Sequence, residues 1–389
     1  MDAVERYLLL GLRLGRHVDG LVDFYYGPSE LSEQVRHEPV VAPAELANEA
    51  AAFLDSLAGA SPWLLDQVRG LATCANVLAG EEIQYSDEVE ACYGVRPEYV
   101  PEERFAAAHV ELDAALPGKG SLVSRFEAWR ESQLVPTDQL VPALERCIDL
   151  LRVRTAESLG LPEGESCSID TVESAPWLAF NYYLGGLRSR ITVNVDLPIA
   201  APEFLHFAVH ETYPGHHTEH VWKEQGLVRD GRCLEESIAL IPTPQAIVSE
   251  GIAELGCDLF LAGETLDDLA GILQSVGVAY DAEQALAVAR AREPLAAVAT
   301  NAALMVHESG VSEPSAAAYI TRWSLVAEPR ASRLVSFLVD PTWRGYVTTY
   351  TDGLRLCRAF AGSDLDRFRQ LLTEQVAVGE LVAAAGGGA

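Results

Sequence analysis

Five of the chain's nine histidines fall between residues 206 and 220. Three of them belong to the run His210-Glu211-Thr212-Tyr213-Pro214-Gly215-His216-His217. Imidazole nitrogen and carboxylate oxygen are donors that zinc takes in tetrahedral sites, and a catalytic site keeps one position open. The usual helical arrangement is His-Glu-x-x-His, with two histidines one turn apart and a glutamate between them. Here the position four residues after His210 is Pro214. In a straight helix His216 would point away from His210, and His217 would share its face but lie about 10 Å along the axis. Pro214 has no N–H for the carbonyl of His210, and Gly215 adds backbone freedom. Pro-Gly can therefore act as a two-residue bulge that brings His216 to the place of the missing histidine. His217 is the alternative second ligand. A capped helix end with solvated histidines would account for Pro-Gly, but not for His-Glu before it and His-His after it.

A third ligand is expected farther along. Glu250 and Glu254 stand at i and i+4 in the apolar surroundings of Ile247, Val248, Ile252 and Leu255. Carboxylates on an apolar helix are costly unless paired or metal-bound. Glu250 is the expected metal ligand, and Glu254 is expected to hold a ligand histidine from outside the metal's own shell. Glu235 and Glu236 compete for the role, but they read as a helix start.

The elements that must position these groups are mostly helical. Segments 43–57, 137–159, 281–308 and 364–384 have helical composition or periodicity, with a threonine cap at Thr137 and a division at Pro294. Residues 189–196 alternate and are β-branched, so they predict a strand, with residues 181–184 as a hairpin partner through Gly185-Gly186. The fold class is therefore mainly α with a small β element just before the histidine motif. Residues 159–169 read as a linker. They divide a helical N-terminal region, 1–160, from a catalytic region, 161–389, within one compact unit.

The net charge of −29, with only Lys119 and Lys223 as lysines, excludes nucleic acid and anionic membrane as partners, since both need a positive footprint. No apolar stretch is long enough to span a bilayer. The seven cysteines show no Cys-x-x-Cys spacing and read as reduced thiols of a cytoplasmic protein.

The pair His-Glu-x-x-Pro-Gly-His-His at 210–217 and Glu-Gly-x-Ala at 250–253 resembles the signature of the bacterial domain of unknown function 885 family, relatives of the gluzincin metallopeptidases. Two further segments fit more loosely. Residues 307–312 resemble the family's Asp-Thr-Gly-x-His segment, with Ala303-Leu304-Met305 in place of Asp-Thr-Gly. Residues 344–353 resemble its Pro-Gly-Gln-Ala-x-x-Tyr-x-x-Gly, with Arg344 and Tyr346 in place of Pro and Gln. The resemblance covers roughly residues 180–360.

It implies a zincin-like metallopeptidase fold with the motif helix at the centre of a helical cleft. It implies one Zn²⁺, or another divalent metal, held by His210, His216 and Glu250, with water in the fourth position. Glu211 would take the proton of that water, and Tyr350 and His307 are the candidates for stabilising the developing oxyanion. The expected substrate is a short peptide or peptide-like amide, added by backbone hydrogen bonds to the strand 189–196. The alternatives are a metallohydrolase of esters or lactams, and a non-catalytic helical binding protein that retains the motif.

Overall fold

The computed structural model describes residues 2–175 and 177–386. The chain is mainly helical, with two small sheets. Proline recurs in the first helical turn, at Pro43, Pro62, Pro202, Pro244, Pro314 and Pro329. Its missing N–H costs nothing there, and its fixed φ is already helical.

The expected helices form, with changes at their ends. Pro43–Ser56 forms as expected. Thr137–Ser158 forms, but Thr137 is its first helical residue and caps nothing; Pro136 holds the cap position. The segment 281–308 divides at Pro294 into Ala282–Arg292 and Ala297–His307. The segment 364–384 is two helices, Leu365–Thr373 and Val378–Gly386, because residues 374–377 leave the helical conformation.

Five strands occur among the described residues. β1 (Val22–Tyr25) pairs antiparallel with β5 (Ile238–Leu240). The second sheet has the order β2 (Ser166–Val172), β4 (Arg188–Asn194), β3 (Ala179–Tyr183). β3 and β4 form the expected antiparallel hairpin, and Gly185 and Gly186 both take φ of 68° in its turn. Two expectations change. The segment read as a linker runs into β2, which pairs in parallel with β4 along its whole length. β4 is therefore the central strand, and its backbone has no free edge for a substrate. The free edges of this sheet belong to β2 and β3.

Two large apolar cores organise the helices. Residues 85–159 join the main core together with residues 191–381. A smaller core lies between the helices Ala3–Leu14, Pro43–Ser56 and Pro62–Leu78, and it takes in Ile238 and Leu240 of β5. The smaller core thus draws mainly on the first 78 residues, and the main core begins at Tyr85.

The helix Pro244–Phe260 is buried on nearly all sides, as its apolar sequence requires. Its cap residue Thr243 makes no side-chain cap. The buried N–H of Gln245, free of a partner within its own helix, is instead met by the Gln67 side chain from the helix Pro62–Leu78, at 3.2 Å. On its other flank this helix packs against Val347–Ala361. A Cβ on Gly251 would lie 2.4 Å from the carbonyl oxygen of Gly353, and a Cβ on Gly353 would lie 2.4 Å from that of Ile247. Two glycines therefore let the two backbones touch.

In a typical helix interior, Gly→Ala stabilises by about 1 kcal/mol. Gly251→Ala should do the opposite and destabilise by about 3 kcal/mol, because a methyl group must force two backbones apart. Urea unfolding followed by circular dichroism measures the sign, and a stabilised variant would contradict the close packing.

Candidate metal centre

The helix Ala201–Glu211 ends inside the motif. Thr212 leaves the helical region at φ −119°, ψ −100°, Tyr213–Pro214 is cis, and a new helix, His216–Lys223, begins after Gly215. The expected bulge within one helix is therefore a break between two. Gly215 is required at the break, since a Cβ there would lie 2.0 Å from the carbonyl oxygen of His210. The Thr212 hydroxyl donates to the carbonyl of Ala208, and the N–H of Gly215 reaches the carbonyl of Val209. These bonds serve carbonyls that the end of the helix would leave orphaned.

The break turns the His216 ring toward His210. Their centroids are 4.7 Å apart and their planes nearly perpendicular, at 88°. Glu250, only 5% exposed, faces both from the helix Pro244–Phe260. Its Oε2 lies 3.3 Å from His210 Nε2, and its Oε1 lies 3.7 Å from His216 Nε2. One donor atom from each of the three residues lies within 4.8 Å of the others.

The opposite ring nitrogens are approached from behind. Glu254 Oε1 lies 3.4 Å from His210 Nδ1. Ser249 Oγ lies 3.2 Å from His216 Nδ1, and Ser249 donates in turn to Glu219. Both histidines thus present Nε2 to the same point. Glu250 Oε2 is buried and has no hydrogen-bond partner there. A buried carboxylate oxygen left unpaired is expensive, and a cation relieves the cost. The same closeness of imidazoles and carboxylates shifts their titration. Burial alone would lower His216, but Glu219 and Glu250 outweigh it and raise it to about 10. Burial would raise Glu250, but His210 and His216 bring it down to about 2.

His217 goes elsewhere. It is fully buried, with Nδ1 on Ser189 Oγ of β4 and Nε2 on Glu165 Oε2, both at 2.8 Å. Glu165 also accepts from Tyr213 and Arg152. Burial lowers the pKa of His217. It is a brace between the motif turn and the sheet. His307 is not brought to the site either. Its ring stacks on Tyr85 at 4.6 Å, and its Nε2 bonds the carbonyl of Leu338. Glu235 and Glu236 belong to a short turn; Glu236 accepts from Gln245.

Glu211 closes the first helix. Its carbonyl accepts from Asn181 of β3 at 2.6 Å, and its carboxylate has no hydrogen-bond partner among the described residues. Tyr350 stands one turn after Tyr346 on the site's helical wall, with the rings 5.7 Å apart and Tyr350 38% exposed.

Three residues enter that sequence reasoning passed over. The Tyr346 hydroxyl donates to Glu250 Oε1 at 2.6 Å. It sits at a position where the chain departs from the family resemblance, and that departure was the available signal. His206 stands one turn before His210, a spacing visible in the sequence, and its Nε2 meets Glu254 Oε2 at 3.2 Å. Asp23 lies at the irregularity in the β1–β5 register, between Val22 and Phe24. Burial, opposed by His216 and aided by Glu211 and Glu250, raises its pKa to about 7. Nothing local in the sequence ties Asp23 to this site. His220 is packed between Phe24 and Tyr183, and burial takes its pKa down to about 3.

No protein-family model matches the chain, and no curated protein matches it. Among solved structures it is similar to the "putative lipoprotein from Colwellia psychrerythraea", with a TM-score of 0.55 and 14% identity, over 91% of this chain and 65% of that one. The chain thus spans less than two thirds of that protein's length. A second similar structure is the "putative lipoprotein of unknown function from Shewanella oneidensis", at a TM-score of 0.45 and 14% identity, over 95% of this chain and 73% of that one. The first likeness is one of fold alone.

The two adjacent histidines separate cleanly by experiment. His216→Ala should weaken zinc binding by more than the roughly 100-fold that loss of an outer hydrogen-bond partner costs. His217→Ala should leave zinc bound and cost about 3 kcal/mol of stability, through its buried hydrogen bonds. Zinc titration and urea unfolding of both variants give the answer, and the reverse pattern would move the metal to His217.

Proposed function

We propose that this protein is a zinc-dependent hydrolase of short peptides or peptide-like amides, with a zincin-like site. The observation that supports the reading best is the convergence of His210 Nε2, His216 Nε2 and the buried Oε2 of Glu250, which lies 3.3 Å from His210 Nε2 without a well-directed hydrogen bond. Two imidazoles and a carboxylate are a donor set that zinc accepts in catalytic centres. The resemblance to the domain of unknown function 885 family belongs to the same proposal.

Zinc, when bound, supplies Lewis acidity and makes water a better nucleophile near neutral pH. The chain's own groups do the rest. Glu211 directly follows a ligand histidine, and its unpaired carboxylate takes the proton of the attacking water and passes it to the leaving amine. Tyr350 offers a phenol O–H to the oxyanion from the opposite wall. Tyr346 holds Glu250 Oε1, which leaves Oε2 for the metal. His307 has no part in this chemistry. An extended substrate can add to β3 in place of β4. The contact between Asn181 and the Glu211 carbonyl sets that edge beside the proposed base. This edge favours a peptide over an ester or lactam.

The cytoplasm remains the proposed location, on the strength of seven cysteines that are all free. Among the described residues no helix is long and apolar enough to cross a membrane.

Glu211→Gln tests the reading. In a screen of di- and tripeptides beside an ester and lactam panel, kcat should fall by about 10² to 10⁴-fold, the range for a general base. Zinc content should equal that of the wild type. Chelation should abolish turnover of the wild type, and added zinc should restore it. Turnover indifferent to both the variant and the chelator would remove the proposal.

A further inference from the structure

On the far side of His210, away from Glu250, the same two helices bring together a second set of donors. His206 and His210 stand at i and i+4 on the helix Ala201–Glu211, with rings stacked 5.4 Å apart at 26°. Glu254 and Cys257 stand at i and i+3 on the facing helix Pro244–Phe260. Glu254 lies 3.2 Å from His206 Nε2 and 3.4 Å from His210 Nδ1. One ligand atom each from His206, His210 and Cys257 lies within 4.8 Å of the others. His210 is 6% exposed, and its Nδ1 is buried with no hydrogen-bond partner of proper geometry. Cys257 is buried, and its thiol reaches only the carbonyl of His206, at 3.5 Å. The His206 side chain is 45% exposed, so the cluster has an opening to solvent.

Orienting His210 for the first site needs one acceptor near Nδ1, and Glu254 Oε1, 3.4 Å away, already stands there. A second imidazole and a thiol at the same point exceed the need. Thiol, imidazole and carboxylate together are the donors of a thiophilic divalent cation.

We propose that His206, Glu254, Cys257 and the Nδ1 of His210 form a second metal site, for zinc or a similar soft divalent ion. Binding displaces the Cys257 S–H proton and the His210 Nδ1–H proton to solvent, and no electron moves. The His210 ring, as imidazolate, then lies between the two sites, with Nε2 toward Glu250 and Nδ1 toward Cys257. The site stands whether or not the first one hydrolyses anything.

Cobalt(II) is the probe. Wild type, Cys257→Ser, His206→Ala and Glu250→Ala are each loaded with excess cobalt, desalted, and examined by metal analysis and absorption spectroscopy. The expected wild type holds two cobalt ions per chain and shows a near-ultraviolet thiolate-to-cobalt charge-transfer band. Cys257→Ser and His206→Ala should each lose the band and one cobalt. Glu250→Ala should lose one cobalt and keep the band. A single cobalt that carries the band in both wild type and Glu250→Ala also supports the site. Absence of the band in wild type overturns it, whatever the cobalt count, and so does a band that disappears with Glu250→Ala. The half-exposed His206 is the safeguard, since its truncation leaves the core intact if Cys257→Ser folds poorly.

Discussion

Where Gly251 meets Gly353, two helices approach until backbone touches backbone. That contact sets the distance between the helix carrying Glu250 and Glu254 and the one that begins after Tyr346 and carries Tyr350. The hydrogen bond from Tyr346 to Glu250 spans the gap it leaves. The other face of the same helix meets the motif turn, where a Cβ on Gly256 would come within 3.2 Å of Pro214 Cγ. Three glycines on two helices therefore hold the carboxylate between its tyrosine and its histidines. Side chains larger than hydrogen at these points would move the donors apart by more than a metal site tolerates.

The site places several charges in a space from which most water is excluded. Such an arrangement persists only if each charge has a partner. His210 has carboxylates on both ring nitrogens, and His216 has Ser249 and Glu219 behind it. Lys223, itself buried, pairs with Glu219 at 2.7 Å. His217 shows the contrast. It is more deeply buried than its neighbour, and both its nitrogens are spent on the scaffold, so it has nothing to offer a ligand. Adjacent histidines in one motif thus differ through what stands beyond them.

That His210, His216 and Glu250 would face one another could be read from residue type and spacing, because helix geometry and the properties of proline and glycine govern them locally. The β3–β4 hairpin was equally legible, from alternation and a Gly-Gly turn. The parallel partner β2 was not, since its exposed, Ser-rich sequence carries little strand pattern and its pairing is decided by a distant neighbour. Asp23 was hidden for the same reason: only the β1–β5 pairing brings it to the site. The role given to His307 came from resemblance alone, and packing against Tyr85 takes its ring elsewhere. Tyr346 sat in a matched segment but was read as a departure, and its partner could be known only once the two glycines were seen to touch.

The Gln67 contact has a consequence for how the molecule comes apart. The first turn of the Glu250 helix is closed by a side chain from the N-terminal layer, and β5 just before it is buried in that layer's core. Neither part can lose its order without leaving the other with open amides or wetted Ile238 and Leu240. The first 80 residues hold none of the histidine motif, yet the Gln67 contact and the shared Ile238 and Leu240 tie their order to it. The coupling between the two cores therefore predicts one cooperative transition, with no intermediate that keeps the histidine motif in place and sheds the N-terminal helices.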